Sequence, residues 1–150
     1  MMDIPNYKSI DAKTVIFDYN GTLAEDGIIK DSTLKLLDKL SNYYKIIILT
    51  ADTFGTVREQ FKNCMNIEIN IIKSTEDKKR ISQEYYPYIA IGNGNNDYEM
   101  IKNASLGIVI IGKEGCSVRT LLEGDIVVCN IDDAINLLLK KDRLRATLRM

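Results

Sequence analysis

Four polar side chains suited to handling a phosphoryl group recur along the chain: Asp18, Thr50, Lys78 and Asp97. A phosphoryl group needs an in-line nucleophile, positive charge near its oxygens and hydrogen-bond donors around it. Asp18 could attack phosphorus to form an aspartyl phosphate, while Thr50 donates a hydrogen bond and Lys78 supplies positive charge. The chain contains no histidine, which excludes Ser-His-Asp and Cys-His catalysis and favours this carboxylate chemistry.

The acids of this set also suit a divalent cation. Mg²⁺ takes hard oxygen ligands in octahedral array and keeps several waters, so Asp18 and Asp97 with a main-chain carbonyl would suffice. Gly21 allows the backbone to approach an ion or phosphate closely. Main-chain N–H groups near Gly21 and Thr22 would add anion-binding capacity. The sequence therefore predicts Mg²⁺ as the cofactor.

Short apolar runs stand immediately before the polar residues and predict buried parallel strands. One covers 14–17 and leads into Asp18, a second covers 45–50 and ends in Thr50, and another covers 88–91. In an open parallel sheet the crevice for ligands lies beyond the carboxyl ends of the strands. The side chains that follow the strands are therefore expected to meet at one edge.

Helical and strand patterns alternate along the rest of the chain. Asp26-Gly27 predicts a hairpin turn, and Asp31 or Ser32 is expected to cap a helix that ends near Asn42. The remaining predicted elements are a helix capped by Asp52 or Thr53 that passes through Cys64, strands at 67–72, 106–111 and 126–129, and helices at 75–87, around 100–104, 118–122 and 132–140. This alternation predicts one α/β domain over residues 1–150, a doubly wound, Rossmann-like parallel sheet of five to six strands with helices on both faces.

Bulk properties narrow the function classes. The formal net charge of −1 gives no electrostatic case for binding nucleic acid or membrane. No apolar run approaches the roughly 20 residues of a membrane span, and the N-terminus lacks the apolar core of a signal peptide, so a cytoplasmic protein is expected. Cys64, Cys116 and Cys129 are expected to be small buried hydrophobes rather than disulfide or zinc partners.

Each signal alone has a plainer explanation. Asp18 and Asn20 are ordinary turn residues, and Thr50 could simply begin a helix. Lys78 stands in a basic run, where a lone lysine usually faces solvent. The segment 92–97 could be a dinucleotide-binding loop, although that fingerprint follows a first strand and requires a third glycine. Only the full set of these residues, in their order along the chain, is specific for a phosphoryl-transfer site.

That ordered set resembles the haloacid dehalogenase-like superfamily of phosphohydrolases from Val15 to about Leu139. In that superfamily the first strand ends in Asp-x-Asp-Gly-Thr, the second in Thr or Ser, a lysine follows, and Gly-Asp-x-x-x-Asp closes the set. The corresponding residues are Asp18-Tyr19-Asn20-Gly21-Thr22, Thr50, Lys78 and Gly92-Asn93-Gly94-Asn95-Asn96-Asp97.

The resemblance implies a role for each matching position. Asp18 corresponds to the nucleophile, and Lys78 to the phosphate-binding lysine, with Lys79 as the fallback. Mg²⁺ would be bound by Asp18, the main-chain carbonyl of Asn20, and Asp97, with Asn93 at the same motif. The implied phosphate-binding positions are Gly21, Thr22, Thr50, Ala51, Lys78 and Asn96.

Two positions depart from the superfamily pattern. Asn20 replaces the aspartate that acts as general acid and base, and Asn93 replaces the first aspartate of the last motif. General acid-base help is typically worth about 10² to 10⁴ in rate, so slow turnover of the aspartyl phosphate is expected. P-type ATPases also lack the second aspartate, and Thr50-Ala51-Asp52 and the 92–97 loop are similar to theirs. The chain therefore most resembles small soluble relatives of the P-type ATPase phosphorylation domain.

The intervals between motifs leave room for a small flap but not for a substrate cap. An uncapped site is open to water and to bulky partners. The expected substrate is a phosphorylated small molecule or a phosphoprotein, and a neighbouring subunit of a homo-oligomer or a macromolecule could cover the site. The basic C-terminal tail, residues 141–150, is expected to be a solvated face.

Three hypotheses follow. The first is a Mg²⁺-dependent phosphohydrolase or phosphotransferase that works through phospho-Asp18. The second is a catalytically weak phosphate- or partner-binding module, in which Asn20 and Asn93 mark lost turnover. The third is a receiver-like phospho-acceptor, which the placement of a single acid after the first strand disfavours.

Overall fold

The computed structural model describes residues 1–51, 55–64 and 66–150. Its strands are β1 (Met2–Ile4), β2 (Lys8–Ile10), β3 (Thr14–Asp18), β4 (Ala24–Glu25), β5 (Ile28–Ile29), β6 (Lys45–Thr50), β7 (Ile67–Ile71), β8 (Tyr88–Gly92), β9 (Leu106–Ile110) and β10 (Ile126–Val128). Its helices are α1 (Asp31–Leu40), α2 (Val57–Gln60), α3 (Thr75–Glu84), α4 (Tyr98–Lys102), α5 (Val118–Leu121), α6 (Ile131–Leu139) and α7 (Lys141–Leu148), with a 3₁₀ turn at Asn95–Asp97.

Six of the described strands form one parallel sheet in the order β10-β9-β8-β3-β6-β7. The strand that carries Asp18 lies at its centre, between β6 and β8. Asp18 pairs with Leu49, so Thr50 is one residue beyond it at the same edge. The predicted doubly wound parallel sheet is confirmed.

Alternate residues of the central strands enter separate cores on the two faces of the sheet. Val15 and Phe17 belong to one core, which also takes residues from α1 and α6. Ile16 belongs to the other, which includes Met100 and Ile101 of α4. Because both faces of β3 are covered, its apolar run is continuous rather than alternating.

The hairpin predicted after the first strand is present as β4 and β5. Asp26 and Gly27 have φ of 51° and 81°, as a two-residue turn of the primed type requires. The cap predicted for α1 is wrong: the N-cap position is Lys30, which makes no side-chain cap hydrogen bond. Asp31 is already the first residue of α1, so the N-cap position falls one residue earlier than predicted.

The described part of the segment between β6 and β7 contains less helix than predicted. Asp52 and Thr53, the predicted cap residues, lie outside the described residues. Helix α2 covers only Val57–Gln60, and Cys64 lies after the turn at 61–63 rather than in the helix.

The two chain ends add elements that the sequence patterns did not predict. Strands β1 and β2 form an antiparallel hairpin. Most of the basic segment 141–150 is helix α7, and its Leu144 is fully buried in the core that includes Ile4. The two ends also meet directly, because the main-chain N–H of Met150 donates to the carbonyl of Pro5 at 3.1 Å.

The cysteine prediction is wrong for one residue of the three. Cys129 is exposed, while Cys64 and Cys116 are half-buried and pack against the cores. Cys129 follows an edge strand, where an apolar run is not evidence of burial. Separately, none of the helices among the described residues has the length and apolar character needed to cross a membrane.

Candidate active site

Asp18 is the last residue of β3 and is held from both carboxylate oxygens. Its Oδ1 accepts a hydrogen bond from Lys78 Nζ at 2.9 Å. The Thr22 hydroxyl lies 3.2 Å from its Oδ2. The residue is only 6% exposed, so the carboxylate is oriented by its neighbours rather than by bulk water.

Lys78 reaches this edge from the first turn of α3. Besides Asp18, its ammonium donates to Asp97 Oδ1 at 2.7 Å, and the side chain is 1% exposed. Lys79 points elsewhere, with its ammonium 4.0 Å from Glu99 at the surface. Between the two lysines, the structure therefore places Lys78 beside the candidate nucleophile.

Asp97 is fully buried and holds the loop that precedes it. While its Oδ1 accepts from Lys78, its Oδ2 accepts from the main-chain N–H groups of Asn93 and Gly94, each at 3.0 Å. A side chain at Gly92 would not fit, since an added Cβ would lie 2.7 Å from the Asp97 carboxyl. Among the described residues, Oδ1 accepts only the bond from Lys78 and keeps a further lone pair, so its use as a Mg²⁺ ligand, which remains a prediction, does not require that bond to open.

The side chains of Asn93 and Thr22 are in contact at the loop that follows β3. The Thr22 hydroxyl lies 3.2 Å from Asn93 Oδ1 as well as from Asp18, and its single proton can serve only one of them at a time. The Asn93 amide donates to the carbonyl of Gly115 at 3.2 Å. Gly21 has φ of 78°, and a Cβ there would lie 2.4 Å from the Asn93 amide nitrogen, so the turn requires glycine.

Asn20 has a polar atom that the described residues leave unsatisfied. Its Oδ1 is buried and accepts no hydrogen bond from them. A buried acceptor without a partner is costly and commonly marks the place of a water, an ion or a ligand. The oxygen therefore fits a site that receives a donor or a cation.

The other predicted phosphate-binding residues lie at or near the same edge. Thr50 is 2% exposed, and its carbonyl accepts from the Ile72 N–H at 2.8 Å. Ala51 and Asn96 are exposed. Their contact with phosphate, like the roles of Thr50 and Lys78, remains a prediction.

The electrostatics of the site are those of two carboxylates sharing one ammonium. Burial, and then the negative charge of Asp97, raise the pKa of Asp18 to about 7, against the opposing effect of Lys78. Burial alone would lower the pKa of Lys78, yet the two carboxylates together raise it above its ordinary range. The three groups carry a formal charge of −1, so a doubly charged phosphate would need a further cation.

The residues present fit Mg²⁺ although they form no conventional acidic cluster. Within the described ranges no three Asp, Glu, Cys or His side chains are grouped to hold a metal. Mg²⁺ is commonly bound through one or two carboxylates, waters and substrate phosphate. The orphaned Asn20 Oδ1 and the Asp18 carboxylate supply oxygens of that kind.

Two residues that anchor the 92–97 loop, Ser117 and Thr120, were not predicted from the sequence. Thr120 of α5 donates through its hydroxyl to the Gly94 carbonyl at 2.8 Å. The main-chain N–H of Ser117 donates to the Asn93 carbonyl at 2.8 Å, and its hydroxyl bonds Asn95. Ser117 also caps α5, and that cap pattern was the one available signal.

Comparison with known proteins gives one sequence relative and many structural ones. No protein-family model matches the chain. An uncharacterised protein of Methanocaldococcus jannaschii is 59% identical over 61 residues, which are 41% of this chain. The match spans 66% of the relative, just under two thirds of its length.

Two solved structures illustrate the likeness of fold. The first is the 3-deoxy-D-manno-octulosonate 8-phosphate phosphatase of Moraxella catarrhalis, in complex with magnesium, phosphate and the sugar acid. It has a TM-score of 0.66 at 17% identity, over 92% of this chain and 94% of that one. The catalytic domain of the CPx-ATPase CopB-B has a TM-score of 0.53 at 28% identity, over 69% of this chain and 44% of that one.

Proposed function

We propose that this chain, which has the fold of the haloacid dehalogenase-like hydrolases, is a Mg²⁺-dependent phosphohydrolase or phosphotransferase that forms an aspartyl phosphate on Asp18. The observation that carries the proposal is the buried triad, in which Lys78 Nζ joins Asp18 and Asp97 at 2.9 and 2.7 Å. The triad stands at the carboxyl edge of the central strand, where open parallel sheets bind ligands.

The first chemical step is transfer to Asp18. A carboxylate oxygen of Asp18 forms a bond to phosphorus as the ester P–O bond breaks. The leaving oxygen keeps the bonding electron pair and takes a proton from water, because the amide of Asn20 has no acidic proton to give. Lys78 and the Thr50 hydroxyl would bind the equatorial oxygens, where negative charge is concentrated.

The second step removes the phosphoryl group from Asp18. A water oxygen attacks phosphorus and its proton passes to solvent, where it neutralises the hydroxide left by the first step; the bond from phosphorus to the Asp18 oxygen breaks, and the carboxylate is restored as phosphate leaves. When bound, Mg²⁺ would neutralise phosphoryl charge and orient the group in line. The candidate ligands are the carboxylates of Asp18 and Asp97, the Asn20 oxygens and the Asn93 amide oxygen.

Asn20 should make the second step slow. An amide cannot accept the proton of the attacking water, and such help is typically worth about 10² to 10⁴ in rate. A long-lived phosphoenzyme also permits transfer to an acceptor other than water. We include phosphotransfer in the proposal for this reason.

A second candidate is a binding module that keeps the site without turnover. The observation that favours it is the pair of amides, Asn20 and Asn93, at positions where the superfamily pattern has aspartates. Such a module would bind phosphate or a phosphorylated partner with Mg²⁺ and release no phosphate. The open approach to the site, with only the β4–β5 hairpin between β3 and α1, is compatible with either candidate.

The deciding experiment follows phosphate release and phosphoenzyme formation from an aryl phosphate with Mg²⁺. Wild type should release phosphate above the Asp18→Asn blank and show, by mass spectrometry after acid quench, one added phosphoryl group on the peptide containing Asp18. An unlabelled peptide with release equal to the blank would reject the enzyme. Phosphate binding by calorimetry would then support the binding module.

A further inference from the structure

A cleft of about 530 Å³ opens directly from the candidate phosphate site. Gly21 and Thr22 are among the residues that line it, and the Thr22 hydroxyl lies 3.2 Å from Asp18 Oδ2. Clefts of this volume take small molecules rather than folded domains. A group esterified to a phosphate at Asp18 therefore has a shaped space beside it.

Two of the lining residues form an ion pair. Glu25, on the β4–β5 hairpin, and Lys113, on the connection from β9 to α5, both line the cleft, with Lys113 Nζ 3.5 Å from Glu25 Oε2. Their side chains are 42% and 80% exposed. Exposed pairs of this kind are weak, so a ligand can displace Lys113 from Glu25.

Ser32 and Asp132 line the cleft and share a hydrogen bond. The Ser32 and Thr33 hydroxyls donate to the Asp132 carboxylate at 2.8 and 2.6 Å. Thr33 is fully buried, so the hydroxyl oxygen that a ligand can reach is that of Ser32. With its proton committed to Asp132, this oxygen can accept hydrogen bonds from hydroxyl or ammonium groups but does not donate to a carboxylate.

The charge of the cleft favours the same ligands. Among the described residues that line it, four carboxylates face two ammonium groups, which leaves a formal charge of −2: Glu25, Glu114, Asp132 and Asp133 against Lys30 and Lys113. Inside a cleft such charge is less screened than on an open surface. A second anionic group on a substrate would be repelled.

We propose that this cleft selects phosphomonoesters whose leaving group is a neutral or cationic small molecule bearing hydroxyl or amine groups, and rejects those that carry a carboxylate. The proposal rests on the phosphatase function proposed above. Glu114 and Asp133 are specificity-determining residues, and the Asp132 carboxylate with the Ser32 hydroxyl oxygen supplies acceptors. Each unit of leaving-group charge should change kcat/KM by about fivefold, from Coulomb energies at cleft distances.

The test uses three six-carbon phosphate esters whose leaving groups are cationic, neutral and anionic in turn: glucosamine 6-phosphate, glucose 6-phosphate and 6-phosphogluconate. Wild-type kcat/KM should fall in that order, with a span of about 25-fold over the two steps. Calorimetric Kd values on Asp18→Asn with Mg²⁺, where no turnover interferes, should follow the same order. Equal values, a preference for 6-phosphogluconate, or binding of none of the three would overturn the proposal.

Variants distinguish the effect of the cleft carboxylates on selectivity from a general effect of the protein's charge. The double variant Glu114→Gln with Asp133→Asn should reduce the ratio between the cationic and the carboxylated ester several-fold. Glu84→Gln, the same kind of change at the far end of α3, should leave that ratio as in wild type. An unchanged ratio in the double variant would overturn the assignment.

The aryl phosphate distinguishes this proposal from the one on which it rests. Release above the Asp18→Asn blank, without discrimination among the three sugar esters, would retain the phosphatase and reject the selective cleft. Release equal to the blank would reject the phosphatase. The order of calorimetric Kd values would then still decide whether the cleft selects as proposed.

Discussion

The ammonium of Lys78 lies 2.9 Å from Oδ1 of Asp18, although sixty positions separate the two residues in the chain. The same ammonium holds Asp97, so a single cation balances two buried carboxylates. Lys79, its neighbour in sequence, is at the surface. This adjacent pair gives a matched test of what the buried lysine does.

Replacing Lys78 by Met should destabilise the protein strongly, because it leaves two carboxylates buried without a cation. Breaking a buried ion pair by removing one partner typically costs about 3 to 5 kcal/mol. Lys79→Met should change the free energy of unfolding by less than about 0.5 kcal/mol, as surface substitutions do. Urea denaturation of both variants in metal-free buffer checks this. Similar losses in both would mean that the buried network contributes little.

Asp18→Asn should stabilise the metal-free protein at high pH. The pKa of Asp18 in the folded protein is about 7, against an ordinary 3.8. Between those values the unfolded chain has lost the proton that the folded protein keeps, so stability falls as pH rises, and levels off above pH 7. The variant lacks this loss, because it has no proton to release.

The corresponding measurement is urea denaturation at pH 4.5 and pH 8 with a chelator present. Asp18→Asn should gain about 1 kcal/mol or more over wild type at pH 8, and much less at pH 4.5. Asp142→Asn, at a 98% exposed side chain, should show no such dependence on pH. A gain of equal size at both pH values would contradict the raised pKa.

Most of the sheet could be predicted from the sequence because buried parallel strands are short apolar runs with clear ends. The predicted range of β6 agrees with the structure, and that of β3 falls one residue short. The N-terminal hairpin was missed because its strands have three residues each, too few to show a pattern. Helix α7 was interpreted as a solvated tail because its charges outnumber its apolar residues, and its contact with the core comes from Leu144, which is buried, and Leu148, which is partly buried.

The sequence predicted which residues form the site better than it predicted the contacts between them. Strand ends place Asp18 and Thr50 at one edge, since parallel strands end together. Helical periodicity does not decide between Lys78 and Lys79, because these adjacent residues lie about 100° apart on the helix and their residue types do not tell which one faces Asp18. The main-chain bonds to Asp97 depend on the path of the 92–97 loop, and residue types do not determine that path.

Gly92→Ala should lower the free energy of unfolding by about 1 to 3 kcal/mol, the usual cost of overpacking. The added Cβ would lie 2.7 Å from the Asp97 carboxyl, which is fully buried and bonded on both oxygens, so it cannot move away. Gly112→Ala is the matched control, because the nearest atom to its added Cβ is at 3.7 Å. Thermal denaturation of the two variants should separate them by several degrees. Equal melting temperatures would show that the Asp97 side chain can shift to accommodate the added Cβ.

Asn20→Asp should speed release of phosphate from the phosphoenzyme. The Asn20 oxygen is buried and unsatisfied by the described residues, so an aspartate there would place a proton acceptor two residues from Asp18. General base help is worth about 10² to 10⁴ in rate, and a gain of at least about tenfold in steady-state release is expected. A matched change at an exposed amide, Asn42→Asp, should leave the rate unaltered.

The phosphoenzyme itself gives the sharper readout for Asn20→Asp. With an aryl phosphate in excess, wild type should release aryl alcohol in a burst and then slow to the rate at which phospho-Asp18 hydrolyses. Asn20→Asp should abolish the burst, because hydrolysis no longer lags behind transfer. If the burst persists with the same amplitude and the same slow phase, proton transfer at position 20 does not limit turnover. The slow step would then be release of phosphate from the site.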